Sequence, residues 1–253
     1  MKQQRIRFRT WGGKRKGAGR PPKGKRASER HKRRPVHQAN HPVHVTLRTL
    51  PSAGRLRRRH GYRAVRRAAI AAFGRTDFRI CHYSIQGNHI HLIVEADDAR
   101  ALARGMQGFS ISCARQLNNQ LTRRTGRRHR GQVFADRYHP EYLTTPLQVK
   151  NAVCYVVNNW RKHGEDRGFD SAVDPFSSGK AFDGWDRAVD RRIRPDDELI
   201  PIVLPHTWLL SDGWLKHGRI SPWAVPGRID RNAALARRTR HSSSRNADQV
   251  GRK

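Results

Sequence analysis

The sequence predicts an α+β fold: one antiparallel sheet with helices packed on one face, carrying basic disordered tails and an irregular C-terminal extension. Three observations predict it. Four short stretches read as strands. Two longer stretches with apolar residues at helical spacing separate them. Basic residues crowd both ends of the chain and leave a mixed, core-forming middle.

The elements follow in order. Val43 to Leu47 alternates apolar with polar residues, the period of a half-buried strand. Residues 54–73 read as a helix whose outer face carries Arg55, Arg57, Arg58, Arg59, Arg63, Arg66 and Arg67; its apolar residues include Leu56, Val65, Ala69, Ile70 and Phe73. Phe78 to Gln86 and His89 to Glu95 are strands joined by Gln86-Gly87-Asn88, a composition suited to a tight hairpin. A second long helix spans 98–121, and a fourth strand lies near Tyr138 to Leu143. A third helix starts after Thr144-Thr145-Pro146, with Thr145 as N-cap, and runs to about Lys162, where Gly164 stops it. Strand, helix, strand, strand, helix, strand is the order of a split β-α-β module, ferredoxin-like or RRM-like, which leaves the second sheet face open for a ligand.

The 253 residues hold 53 Lys and Arg against 20 Asp and Glu, a formal charge of +33. Such a chain repels itself unless a polyanion screens it, and nucleic acid is the expected partner. Residues 1–40 carry fifteen of the basic residues and one acid, Glu29; residues 231–253 carry seven and one acid, Asp248. Both read as disordered basic arms. Within the first, the run from Lys16 to Arg26 resembles an AT-hook, with Arg20 in its Gly-Arg-Pro core. No apolar run approaches the roughly 20 residues of a membrane span, and the N-terminus lacks a signal-peptide core. The expected location is cytoplasmic and nucleoid-associated. Cys81, Cys113 and Cys154 are widely spaced and form no CxxC, so neither a disulfide framework nor a cysteine zinc site is expected.

Two motifs carry chemistry. In Asn88-His89-Ile90-His91, the strand period puts His89 and His91 on one face, where two imidazoles can take neighbouring positions on a metal ion. By itself HxH also describes two exposed histidines beside a hairpin. In the third helix, Tyr155 and Asn159 lie four residues apart and share a face. An amide oxygen is an acceptable ligand for a hard cation such as Mg²⁺ or Mn²⁺. Tyr155 taken alone is more often a half-buried packing residue.

Together these motifs resemble the IS200-like single-tyrosine (HUH) transposases. Tyr155-Val156-Val157-Asn158-Asn159-Trp160-Arg161-Lys162-His163-Gly164 looks like the YI..NPVKHG segment of the REP-associated tyrosine transposase branch. Gln86 to His91 looks like that branch's MPNHVHLL strand, and Gly131 to His139 like its G.VFQ.RYH stretch. The resemblance covers roughly residues 42–165. Trp160 stands where the family has proline, and Gln86-Gly87 where it has Met-Pro.

The resemblance implies an enzyme that cleaves and rejoins single-stranded, hairpin-containing DNA. Tyr155 would be the nucleophile, forming a 5′-phosphotyrosine, and His89, His91 and Asn159 would hold Mg²⁺ or Mn²⁺. Arg58, Arg59, Arg123, Arg124, Arg127, Arg128, Arg130 and Arg137, with Arg20, are the candidate DNA contacts. The insertion-sequence branch is dimeric and the repeat-associated branch tends to be monomeric, so monomer and homodimer both stay open.

The expected organisation is an arm at 1–40, a catalytic domain at 41–165, an extension packing on the body at 166–230 and a tail at 231–253. In the extension, Phe169, Phe176, Phe182, Trp185, Trp208, Trp214 and Trp223 are candidates to pack back on the body, and Asp186, Asp190, Asp196, Asp197 and Glu198 to pair with body arginines. The competing reading is a non-catalytic nucleic-acid-binding protein, for DNA or RNA, with basic tails. Such a protein needs neither the HxH pair nor the Tyr155/Asn159 pair.

Overall fold

The computed structural model describes residues 35–168, 171–190 and 199–227. Arg20, Phe169, the acids 196–198 and the tail 231–253 lie outside the described residues. Four strands, β1 (Val43–Arg48), β2 (Phe78–Ile85), β3 (His89–Ala96) and β4 (His139–Tyr142), form an antiparallel sheet in the order β2-β3-β1-β4. Helix α1 (Arg59–Phe73) joins β1 to β2, α2 (Ala99–Thr125) joins β3 to β4, and α3 (Pro146–Lys162) follows β4. The order of elements and the α+β class are those the sequence predicts.

Helices α1 and α2 cover one sheet face. Val43, Val45, Leu47, Ile90, Leu92 and Val94 point into a core shared with Val65, Leu102, Met106 and Phe109. Each such fully buried apolar side chain contributes about 1.5–3 kcal/mol relative to exposure. Gly105 lets α2 come this close: a Cβ there would sit 2.2 Å from the Phe78 ring. Asp98 caps α2 by accepting from the Ala101 amide, and Gly126, at φ 68°, ends it.

Helix α1 begins at Arg59, five residues after the sequence pattern suggests. Gly54 has φ 72°, and the Leu56 amide donates to the Gly87 carbonyl, so residues 54–58 dock on the β2–β3 turn instead of coiling. Two α1 assignments change with this. Arg57 is buried, not on the outer face, and Ile70 and Phe73 are about half exposed, the core contacts coming from Ala64, Val65, Ala68, Ala69 and Ala72.

The second face is not left free. Residue 81 is extra in β2: Ile80 pairs with Val94 and His82 with Ile93, so Cys81 and His82 both turn to this face. Val149, Val153, Val156 and Val157 of α3 pack there on Cys81 and Ile93, joined by Val173, Phe182, Trp185, Leu210 and Trp214. Apolar burial is the reason: α3 has an apolar stripe that needs a partner. Thr145 and Gln148 form a full capping box at its start, and Gly164, at φ 64°, follows its end.

Residues after α3 are tied to the sheet by buried polar contacts. Arg57 donates to both oxygens of Asp174 at 3.0 Å and to the Ile85 carbonyl. Glu95, fully buried, accepts from the His206 and Thr207 amides and the Thr207 hydroxyl. Of the aromatic residues in this region, Phe182, Trp185 and Trp214 are buried, Phe176 packs against Tyr62 and Arg57, and Trp208 and Trp223 are more than half exposed. Asp186 lies 3.2 Å from its neighbour Arg187; acids that reach body arginines include Asp174, Asp166 beside Arg161, and Glu165 beside Arg55 and Arg57. All three cysteines are free thiols.

Candidate active site

The open part of the second face lies over β1 and β3. Register puts Arg48 beside His89, Thr46 beside His91, and His44 beside Ile93, with Glu141 of β4 on the far side of His44. His89 and His91 share the face, their ring centroids 4.7 Å apart. Above them runs one row of α3. The Tyr155 ring lies 5.0 Å from that of His91, and the His163 ring lies 5.5 Å from that of His89. Residues 155, 159 and 163 follow at intervals of four, so Asn159 sits between those two contacts on the same helical face. Lys162 holds its ammonium 5.1 Å from the Tyr155 ring centroid.

Hydrogen bonding leaves particular atoms available. His89 Nδ1 is 2.8 Å from the Asn88 side-chain oxygen. An oxygen acceptor there selects the Nδ1–H tautomer and leaves Nε2 with its lone pair. His91 Nδ1 is 3.2 Å from both His44 Nε2 and Thr46 Oγ1, whereas His91 Nε2 is buried without a partner. Both amide atoms of Asn159 are likewise buried without a hydrogen bond. Buried polar atoms are nearly always paired, so three such atoms around one row ask for an explanation.

Electrostatics keep both imidazoles neutral. Burial, then His163 and Arg48, holds His89 down at about 4; burial, then His44, His89, His163 and Lys162, holds His91 down at about 2. His44 is lowered by burial, with Glu141 opposing. Tyr155 is raised by burial, with the adjacent Asn159 amide acting in the opposite direction. Among the described residues no three His, Cys, Asp or Glu side chains are arranged to hold a metal ion. A cation at the histidine pair therefore needs ligands outside those four residue types. Neutral imidazoles with free lone pairs and an unpaired amide oxygen are donors of the kind a divalent cation takes.

Two clefts flank the histidines. One, of about 380 Å³, is lined by His44, Thr46, His91, Glu141, Gln148, Asn151 and Tyr155 among others; the second, of about 480 Å³, by Arg48, Thr49, Arg55, Gly87 and Asn88 among others. The second is lined by two arginines, Arg48 and Arg55. Arg58 and Arg59 are exposed at the start of α1. His60 lies close enough to Arg124 to be lowered by it, after burial, so this start adjoins the end of α2. Arg123 and Arg124 fall in the last turn of α2; Arg127, Arg128 and Arg130 follow it, all exposed. Residues 133–135 then pair with β1's end, through Leu50 to Val133 and Ala135 to Arg48. Arg137, also exposed, follows two residues later.

Sequence reading missed His44 and Glu141, and quoted Lys162 and His163 in a motif without giving them a place in the site. Period two places His44 and Thr46 on one face of β1. Only strand register reveals that this is the face of His91, and only helix docking brings Lys162 and His163 over the pair.

The family model described as Transposase IS200 like matches residues 38–159. No curated protein matches the chain. Among solved structures, that of a REP-associated tyrosine transposase bound to a REP hairpin is similar over 59% of this chain and 82% of that one, at 18% identity and a TM-score of 0.43.

Proposed function

We propose, from the match of residues 38–159 to the model of the IS200-like transposases, that the chain is a transposase of that family and that it cleaves and rejoins single-stranded, hairpin-containing DNA through Tyr155. The observation that carries the reading is the facing of two rows, Tyr155-Asn159 on α3 with His163 at its C-cap, and His91-His89 on β3. The Tyr155 oxygen attacks a backbone phosphorus, the bond from phosphorus to the 3′ oxygen breaks, and the products are a 5′-phosphotyrosine and a free 3′-hydroxyl. The reverse attack by a 3′-hydroxyl restores the phosphodiester and the phenol, so rejoining consumes no nucleotide.

His89, His91 and Asn159 would hold Mg²⁺ or Mn²⁺, and the unpaired atoms of His91 and Asn159 fit that role. When bound, the cation supplies Lewis-acid polarisation of a phosphate oxygen. Tyr155 starts as a neutral phenol, since burial raises it, so its proton leaves as the oxygen attacks. The half-buried setting excludes part of the water that would compete with the 3′-hydroxyl for the phosphotyrosine.

Substrate holding would fall to the exposed arginines at the start of α1 and around the end of α2. Arg58, Arg59, Arg123, Arg124, Arg127, Arg128, Arg130 and Arg137, all exposed, would contact phosphates, which position a strand without reading its bases. Deleting residues 1–40, which include Arg20, weakens binding and flattens its salt dependence while the cleavage chemistry persists.

The test is incubation of the full chain with end-labelled single-stranded hairpin DNA and Mn²⁺, resolved on a denaturing gel. A covalent protein–DNA band is expected. Its absence on every hairpin with either cation would turn the reading to a non-catalytic nucleic-acid-binding protein.

A further inference from the structure

The environment of His91 has a polarity that one residue sets. Glu141 Oε2 lies 3.5 Å from His44 Nδ1, His44 Nε2 lies 3.2 Å from His91 Nδ1, and the His44 and His91 rings stack at 5.2 Å. A carboxylate is acceptor-only. His44 therefore turns its Nδ1–H to Glu141 and presents the Nε2 lone pair to His91. His91 answers with Nδ1–H, which leaves Nε2, the buried atom without a partner, as a lone pair. Reversing the tautomer would bury an N–H with no acceptor and set two lone pairs, His44 Nε2 and His91 Nδ1, against each other. The Thr46 hydroxyl, also 3.2 Å from His91 Nδ1, can donate or accept and so sets no direction.

We propose that Glu141 and His44 are positioning residues: a carboxylate–histidine relay that fixes the tautomer and ring orientation of His91 and so presents Nε2 to a divalent cation. The inference deepens the transposase reading and rests on it for the identity of the ligand. Partners of this kind behind a metal-binding histidine are worth 10- to 100-fold in metal affinity where they have been removed. Here the relay comes from two other strands, β1 and β4, so β4 at the sheet edge contributes to the site through Glu141, which lies outside the family motifs.

Two readouts test it, both without DNA. The first is long-range ¹⁵N–¹H NMR of imidazole nitrogens in the ¹⁵N-histidine-labelled, metal-free full chain, with His91 assigned by His91→Gln. Wild type should show His91 as the Nδ1–H tautomer. His44→Phe, which keeps a ring but no acceptor, should yield a tautomer mixture. The second readout is Mn²⁺ affinity by electron paramagnetic resonance. His44→Phe should lose about 10-fold or more, and Glu141→Ala, at an exposed edge position that does not threaten folding, should lose affinity in the same direction by a smaller factor. Glu141→Gln should retain most of it, because the amide oxygen still accepts from His44. Thr46→Val should leave both readouts unchanged. A wild-type tautomer and affinity in His44→Phe would overturn the relay, as would a loss confined to Thr46→Val. If wild type binds no Mn²⁺ yet His91 loses its Nδ1–H tautomer in His44→Phe, the metal-site reading fails and the relay stands.

Discussion

Two ends of one sheet face hold buried histidines and treat them differently. At the β2 end, His82 is sealed: its Nδ1 lies 3.3 Å from the Ser178 hydroxyl and its ring meets Phe182 edge-on. At the β3–β1 end, His91 is as deeply placed but keeps an unpaired nitrogen, beside an asparagine with both amide atoms unpaired. The side chains and the face are alike. The covering differs: residues 173–185 close the first end, and α3 leaves a cleft at the second. Completeness of hydrogen bonding, more than burial, separates a histidine that holds the fold from one available to a ligand.

The contrast can be broken most sharply at the open end. Tyr155→Phe removes one oxygen from a half-buried ring; covalent adduct on hairpin DNA should fall to the detection limit while the melting temperature and DNA affinity stay at wild-type values. An adduct that persists in Tyr155→Phe and disappears in Tyr138→Phe or Tyr142→Phe would move the nucleophile. The sealed end should answer in stability. Arg57→Ala strands the Asp174 carboxylate, fully buried, and should cost about 3–5 kcal/mol in urea unfolding; a cost under about 1 kcal/mol would mean that the C-terminal segment is not held there.

A third test uses pH. Burial holds His82 down at about 4, below its ordinary 6.5, with Asp183 opposing. The unfolded chain therefore takes up this proton first, and stability is lost as pH falls from about 6.5 towards about 4. Between pH 7 and pH 5 this amounts to about 2 kcal/mol. His82→Gln should lose that much less than wild type over the same interval, read as the difference between two urea titrations. Parallel losses would place His82 in contact with water. The smallest effect is the most diagnostic: Asn159→Leu should raise metal-free stability by about 1 kcal/mol, because it removes an unpaired buried amide, while abolishing Mn²⁺ binding. A destabilised Asn159→Leu would show that the amide has a structural partner.

Much of this contrast was legible in the sequence, because it rests on short-range periodicity. The Asn88-His89-Ile90-His91 alternation fixed a shared face, the Tyr155/Asn159 interval fixed a shared helical side, and Thr145-Pro146 marked where α3 begins. What was not legible depends on partners distant in the chain. Arg57 reads as one more surface arginine until Asp174 arrives 117 residues later to pair with it. Glu95 looks like a polar strand end, yet it is buried because residues 206–207 bring three donors to it. His44 acquires a meaning only when β1 pairs with both β3 and β4. The second face appeared free because nothing local says that the apolar stripe of α3 docks there, and the segment after Gly164 that completes the cover has neither strand nor helix period to announce it.

That segment also grips α3 along its length. Lys150 donates to the His217 carbonyl, Asn158 to that of Ser221, and Arg161 to those of Pro222 and Ala172. It acts as a splint on the helix that carries Tyr155. A fragment trimmed to residues 38–159 would keep Tyr155, Asn159 and both HxH histidines, yet lose the brace that aims one row at the other. The aim of the Tyr155 row is thus set in part by Ala172, His217, Ser221 and Pro222, through backbone carbonyls alone.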